Sequence, residues 1–249
     1  MRLDLATWPE VEAYLKGHKG IFLPVGSTEQ HGPMGLIGTD ALCAQAIAEH
    51  AADIAEAFAA PVIGYTPAPF NTAFPGTVSL SEEVFSAMVH EVLAGLYAQG
   101  FTRIYVLNAH GANLAPLRRI TEGQTHIRIR SWWDFEPVNE LRQELYGDWE
   151  GMHATPSEVA ITQALYRVIE PGSAAEPPVK LSKDYITAHS GDRHGPPDEH
   201  RAQFPDGRVG SHSALARPED GKLLLELASK CAAQDFAQFA SPDRNTPAQ

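Results

Sequence analysis

The chain has 249 residues, 43% hydrophobic and 20% charged, proportions that fit a globular protein and exclude a disordered or coiled-coil chain. Its 31 acidic residues outnumber the 19 basic ones, and the resulting charge of -12 opposes nucleic acid phosphates and anionic membrane surfaces as partners. No apolar run reaches the roughly 18 residues that span a bilayer, and Met1 to Trp8 lacks a signal-peptide core, so a cytoplasmic protein is expected.

The length suits one domain over residues 1–249. Ile21 to Val25 is an apolar run that reads as a buried strand. Asp40 to Phe58 follows with Leu42, Ala46, Ile47, Ile54 and Phe58 at helical spacing and Thr39 or Asp40 as N-cap. Pro61 to Tyr65 reads as a second strand, and Ser81 to Gln99 as a helix closed by Gly100. Arg103 to Leu107 is a third strand and Leu114 to Thr121 a short helix, while His126 to Trp133 alternates as a fourth strand would. Thr155 to Val168 predicts a helix with Pro156 at its first position. Residues 170 to 212 show no period and read as an irregular excursion, and Gly221 to Phe239 is a closing amphipathic helix. This alternation predicts an α/β fold, a three-layer α/β/α sandwich with a mostly parallel central sheet.

Chemistry-bearing residues collect where these strands end, the edge at which open α/β sheets bind ligands. Glu29, His31 and Asp40 follow the first strand. Being two apart, Glu29 and His31 point the same way in an extended segment, as two ligands of one centre require. Cys43 and Cys231 are isolated, so a metal here would be held by imidazole and carboxylate, a donor set open to zinc, manganese or iron. His110 ends the third strand in Asn108-Ala109-His110-Gly111. His153 and Glu158 flank the start of a helix, although Thr155-x-x-Glu158 is also a capping box in which Glu158 binds only backbone.

The motifs Gly26-Ser27-Thr28-Glu29-Gln30-His31-Gly32-Pro33, Gly38-Thr39-Asp40, Phe74-Pro75-Gly76-Thr77, Asn108-x-His110-Gly111-x-Asn113 and His153-Ala154-x-x-x-Glu158 resemble, in order and spacing, the creatininase (creatinine amidohydrolase) family. The segment Gly207-Arg208-Val209-Gly210 is similar to that family's closing glycine-rich stretch. The resemblance implies a two-metal amidohydrolase acting on a small cyclic amide, lactam or formamide, assembled as a homo-oligomer, commonly a hexamer. By position it implies Glu29, His31, Asp40 and His110 as ligands of two divalent ions, zinc first with manganese or iron as alternatives, and Asp40 as the bridging carboxylate. Ala112 stands where creatininase has a further glutamate ligand, and Glu158 matches the glutamate that many relatives use instead. His153 matches the histidine proposed to carry a proton during ring opening.

Three features bear on the substrate. Met34 replaces a second histidine of many members, implying a changed substrate side of the pocket. Trp132 and Trp133 lie near the aromatic residues that enclose creatinine. Arg193, His194, His200 and Arg201 are the basic candidates for a phosphorylated substrate. A hydrolase or isomerase of cyclitol- or sugar-derived substrates, and a non-catalytic ligand-binding protein, are the alternative readings.

Overall fold

Four parallel strands form the centre of the fold in a computed structural model that describes residues 1–191 and 193–241. They are β1 (Gly20–Val25), β2 (Phe58–Ala59), β3 (Arg103–Asn108) and β4 (Ile127–Ser131), in the sheet order β2-β1-β3-β4. β1 runs in register with β3 from Gly20 opposite Arg103 to Val25 opposite Asn108, so both strands end at the same sheet edge. The helices are α1 (Trp8–Gly17), α2 (Thr39–Ile54), α3 (Glu82–Ala98), α4 (Leu114–Ile120), α5 (Glu136–Tyr146), α6 (Pro156–Leu165), α7 (Lys183–Ala188), α8 (Pro197–Gln203) and α9 (Pro218–Ala240).

Alternation along the strands divides the core in two. Phe22, Tyr105 and Leu107 face a cluster with Ile47 of α2, Val138 of α5, Ile161 of α6 and Leu224 and Phe236 of α9. Ile21, Leu23, Val25, Ile104 and Val106 face the other side, against Phe85, Val89 and Leu93 of α3 and Leu117 of α4, with Tyr14 and Leu15 of α1 packed on them. Both faces of the central strands are thereby covered, which is why β1 and β3 read as apolar runs, while β4 at the sheet edge alternates. The expected three-layer α/β/α sandwich is the observed one.

Several boundaries differ from expectation. α2 stops at Ile54, and Phe58, expected inside it, begins β2. The second strand is therefore Phe58–Ala59 and not 61–65, because Pro61 has no N–H to continue a ladder. Only Ile63 rejoins it, donating to Pro24 O at 3.0 Å and accepting from Gly26 N at 2.9 Å. The N-cap of α2 is Gly38, since the Thr39 hydroxyl donates to Leu36 O at 2.7 Å and Asp40 is engaged at the site. Trp132 and Trp133 lie beyond β4 in a 3-10 turn, Trp132–Asp134. The excursion at 170–212 contains α7 and α8. α1 and α5 had no counterpart in the expected elements.

Two glycines mark close approaches. A Cβ on Gly26, just after β1, would fall 2.3 Å from Ala41 N, so only glycine lets the start of α2 lie against the end of the strand. A Cβ on Gly221 would fall 1.9 Å from Ala160 O, where α9 crosses α6. No described helix is long and apolar enough to cross a membrane.

Candidate metal centre

The ends of β1 and β3 and the starts of α2 and α6 bring Glu29, His31, Asp40, His110, His153 and Glu158 together, all buried. Three overlapping groups could each hold a cation: Glu29, Asp40 and His110; His31, Asp40 and Glu158; and Glu29, His31 and His153. Asp40 divides its two oxygens between the first two groups. Oδ1 lies 3.0 Å from His31 Nε2, and Oδ2 lies 3.2 Å from His110 Nδ1. His110 Nδ1 also lies 2.9 Å from Glu29 Oε1, and His31 Nε2 lies 3.9 Å from Glu158 Oε2.

The histidines are aimed from behind. His31 Nδ1 lies 3.1 Å from Glu29 O, His110 Nε2 lies 2.8 Å from Pro67 O, and His153 Nε2 lies 2.7 Å from Gln30 O. A carbonyl only accepts, so each outer nitrogen carries the hydrogen and donates it. The inner nitrogens, His31 Nε2, His110 Nδ1 and His153 Nδ1, then turn towards the carboxylates, the arrangement by which proteins orient imidazoles for a metal. Glu29 Oε1 and Asp40 Oδ2 are buried and face the inner nitrogen of His110, which donates to them only when that imidazole is charged. Such oxygens are costly to bury unless a positive charge faces them. Nitrogen and oxygen donors aimed at each other, with these two carboxylate oxygens among them, fit divalent cations of the zinc, manganese or iron type.

Without cations the cluster strains its own titration. Burial works against the charged form of His31, but Asp40, Glu158 and Glu29 outweigh it and lift the imidazole to about 10. His110 rises in the same way: burial again opposes the charge, and Glu29 and Asp40 prevail. Burial pushes Glu158 up to about 7, with Asp40 adding to it and His31 opposing. His153 goes the other way, lowered to about 3 chiefly by burial, which the Glu29 charge only partly offsets.

Glu158 reconciles the two roles open to it. Its Oε1 accepts from Thr155 N at 2.5 Å and its own N–H donates to Thr155 Oγ1 at 3.3 Å, completing the capping box. Its Oε2 is left to the cluster.

Asn71 and Gln30 support the cluster, and nothing in their spacing singled them out. Asn71 Nδ2 donates to Glu29 Oε2 at 2.6 Å, and Gln30 Nε2 donates to Asn71 Oδ1 at 2.8 Å and to Gly207 O at 3.0 Å. The pocket above has a volume of about 170 Å³ and is walled by Trp132, Trp133, Met152, Gly191 and Arg142 besides the cluster. Both tryptophans thus reach it. Met34 does not: it packs with Val159, Ala160, Ala174 and Ala216, so its exchange for histidine is a matter of core packing. The basic candidates in the 190–201 segment are also engaged elsewhere. Arg193 donates to Ser190, Arg201 caps Ala73 O and lies on Phe74, and His194 and His200 pack on Phe70. Arg142, which sequence reasoning passed over, is the arginine in the wall.

Fold and site together define an α/β/α protein with an imidazole and carboxylate centre at the strand ends. The family model for creatininase, creatinine amidohydrolase, matches residues 4–235, and the chain belongs to that family of metal-dependent hydrolases. Creatinine amidohydrolase of Pseudomonas putida is 27% identical over 249 aligned residues, spanning 89% of this chain and 90% of that protein. A 3-dehydro-scyllo-inosose hydrolase of Thermotoga maritima is 35% identical over 106 residues, 42% of this chain and 34% of the relative. A solved mutant creatininase of Zn-Zn type has the same fold, with a TM-score of 0.72 and 25% identity over 97% of this chain and 98% of that one.

Proposed function

We propose that residues 1–249 act as one hydrolase domain that cleaves a C–N bond of a small cyclic amide, lactam or formamide with the help of two divalent cations. Glu29, His31, Asp40, His110 and Glu158 would hold them, with Asp40 shared. The observation that carries this reading is the division of Asp40 between two donor groups, one with Glu29 and His110, the other with His31 and Glu158. Zinc is the first choice, supported by the Zn-Zn relative, with manganese or iron as alternatives. Bound there, such ions supply Lewis acidity: they polarise an amide carbonyl and bring the pKa of a water towards neutrality.

The remaining steps belong to side chains. His153 keeps its Nε2 hydrogen on Gln30 O, and burial leaves its Nδ1, 3.9 Å from Glu29 Oε1, unprotonated at rest, so that nitrogen would take up a proton only transiently and hand it to the leaving nitrogen. Asn71 holds the Glu29 carboxylate in place. Trp132 and Trp133 flank a flat substrate and exclude water from the pocket. A pocket of about 170 Å³ is close to the roughly 150 Å³ that encloses benzene, which favours a small amide over a nucleotide. Cyclitol-derived substrates are the second reading, supported by the Thermotoga maritima relative. A homohexamer in the cytoplasm, interacting with a small-molecule substrate, belongs to the same proposal.

The test is a screen of cyclic amides, lactams and formamides with the zinc- or manganese-loaded protein, reading release of ammonia, formate or a new amine. Turnover in the wild type, its loss together with bound metal in Asp40→Ala, and its loss with metal retained in His153→Gln are expected. A fully active, metal-free Asp40→Ala protein would refute the scheme.

A further inference from the structure

Arg142 of α5 reaches the pocket wall with its guanidinium held on three sides. Nε donates to Glu150 Oε1 at 2.9 Å and Nη1 donates to Asn139 Oδ1 at 2.8 Å, while Nη2 lies 2.9 Å from the same Glu150 oxygen. Its Cζ sits 5.3 Å from the Trp132 ring centroid. A guanidinium has five N–H donors, and these contacts engage at most three, so each terminal nitrogen keeps one. Glu150 is itself shared, because the Ser157 hydroxyl donates to the same Oε1.

The indole beside the guanidinium is buried. Trp132 is 1% exposed, and its Nε1–H has no acceptor although the residue borders the pocket. Buried indole N–H groups ordinarily find a partner, and leaving one without costs free energy comparable to a lost hydrogen bond. That nitrogen is itself covered, so a ligand in the pocket meets the Trp132 ring, and the donors that recognise it are those of Arg142.

We propose that Arg142, with Trp132 beside it, selects a substrate that carries a carboxylate in addition to the amide to be hydrolysed. The inference rests on the metal-centre reading, which fixes where the amide lies. Two hydrogens on adjacent nitrogens of a rigid planar fork match the two oxygens of a carboxylate. Glu150, Asn139 and the indole face hold that fork before any ligand arrives, so little side-chain freedom is lost on binding. The substrate class is a small acid-bearing amide, such as an N-acyl amino acid or a lactam with a ring carboxylate.

Calorimetric titration of the zinc-loaded protein with butyrohydroxamate and with the monohydroxamates of succinic and glutaric acid tests this, the hydroxamate anchoring each probe at the metal. At least one acid-bearing probe should bind about tenfold tighter than butyrohydroxamate, the effect expected of a charge-assisted pair. In Arg142→Gln the ratio should fall to about one, and Arg142→Lys, which keeps the charge without the fork, should restore only part of it. Equal affinities in the wild type, or a preference that survives both substitutions, would overturn the assignment and leave the metal reading intact. Failure of every hydroxamate to bind the zinc-loaded wild type would overturn both.

Discussion

Asp40 shows at the scale of one residue how a helix start becomes part of a site. It occupies the first turn of α2, where the positive end of the helix dipole favours a negative charge, and it gives one oxygen to each donor group. Glu158 uses the same geometry at the start of α6 while also capping that helix. The two roles separate by substitution. Thr155→Ala removes the hydroxyl partner and should cost about 1 kcal/mol of stability in a thermal melt, with metal content unchanged. Glu158→Gln keeps an oxygen for Thr155 N–H, since either residue type completes the box, but loses the carboxylate charge, and should bind less metal with little change in melting. A Glu158→Gln protein with full metal content would leave the cap as that residue's whole role. Glu29, His31 and His110 were legible because they follow strand ends in the chain, and Asp40 and Glu158 because they open helices. Arg142 and Asn71 were not, because one sits amid an ordinary charged helix and the other in a loop, and only folding brings them to the pocket and to Glu29.

Packing of elements sets where those residues point. β1 and β3 were readable as apolar runs because both of their faces are buried. β2 was misplaced because a two-residue strand has no period to read. α1 contains no fully buried residue and α5 buries only Val138 and Tyr146, so the apolar signal of each is thin. The histidine that many family members carry at position 34 implied a changed substrate side, but the Met34 side chain turns into a small core cluster with Val159, Ala160, Ala174 and Ala216. α9, by contrast, is long and regular, and it braces α6, which carries Glu158, through the contact at Gly221. Gly221→Ala should force the two helices apart at a cost of about 1–3 kcal/mol, the usual penalty for overpacking. Thermal or denaturant unfolding checks it; an unchanged midpoint would mean that the α6–α9 contact yields without loss.

The molecule as a whole places acidic residues where cations are needed and gives the surface the same sign. The -12 charge disfavours polyanionic partners, and the pocket, bounded by two tryptophans and one arginine, admits a small ligand. The fold class followed from the strand and helix alternation, and the family from five ordered motifs; the substrate did not, because the pocket wall joins Trp132 and Trp133 after β4, Arg142 of α5, Met152, and Gly191 of the 170–212 excursion, residues that only folding brings together. What binds all three scales is the proposal that five buried side chains, Glu29, His31, Asp40, His110 and Glu158, hold two cations. Metal analysis of the purified, zinc-loaded protein after removal of free ion measures this directly. The account predicts two ions per chain in the wild type and their loss in Asp40→Ala; fewer than one ion per chain in the wild type would contradict it.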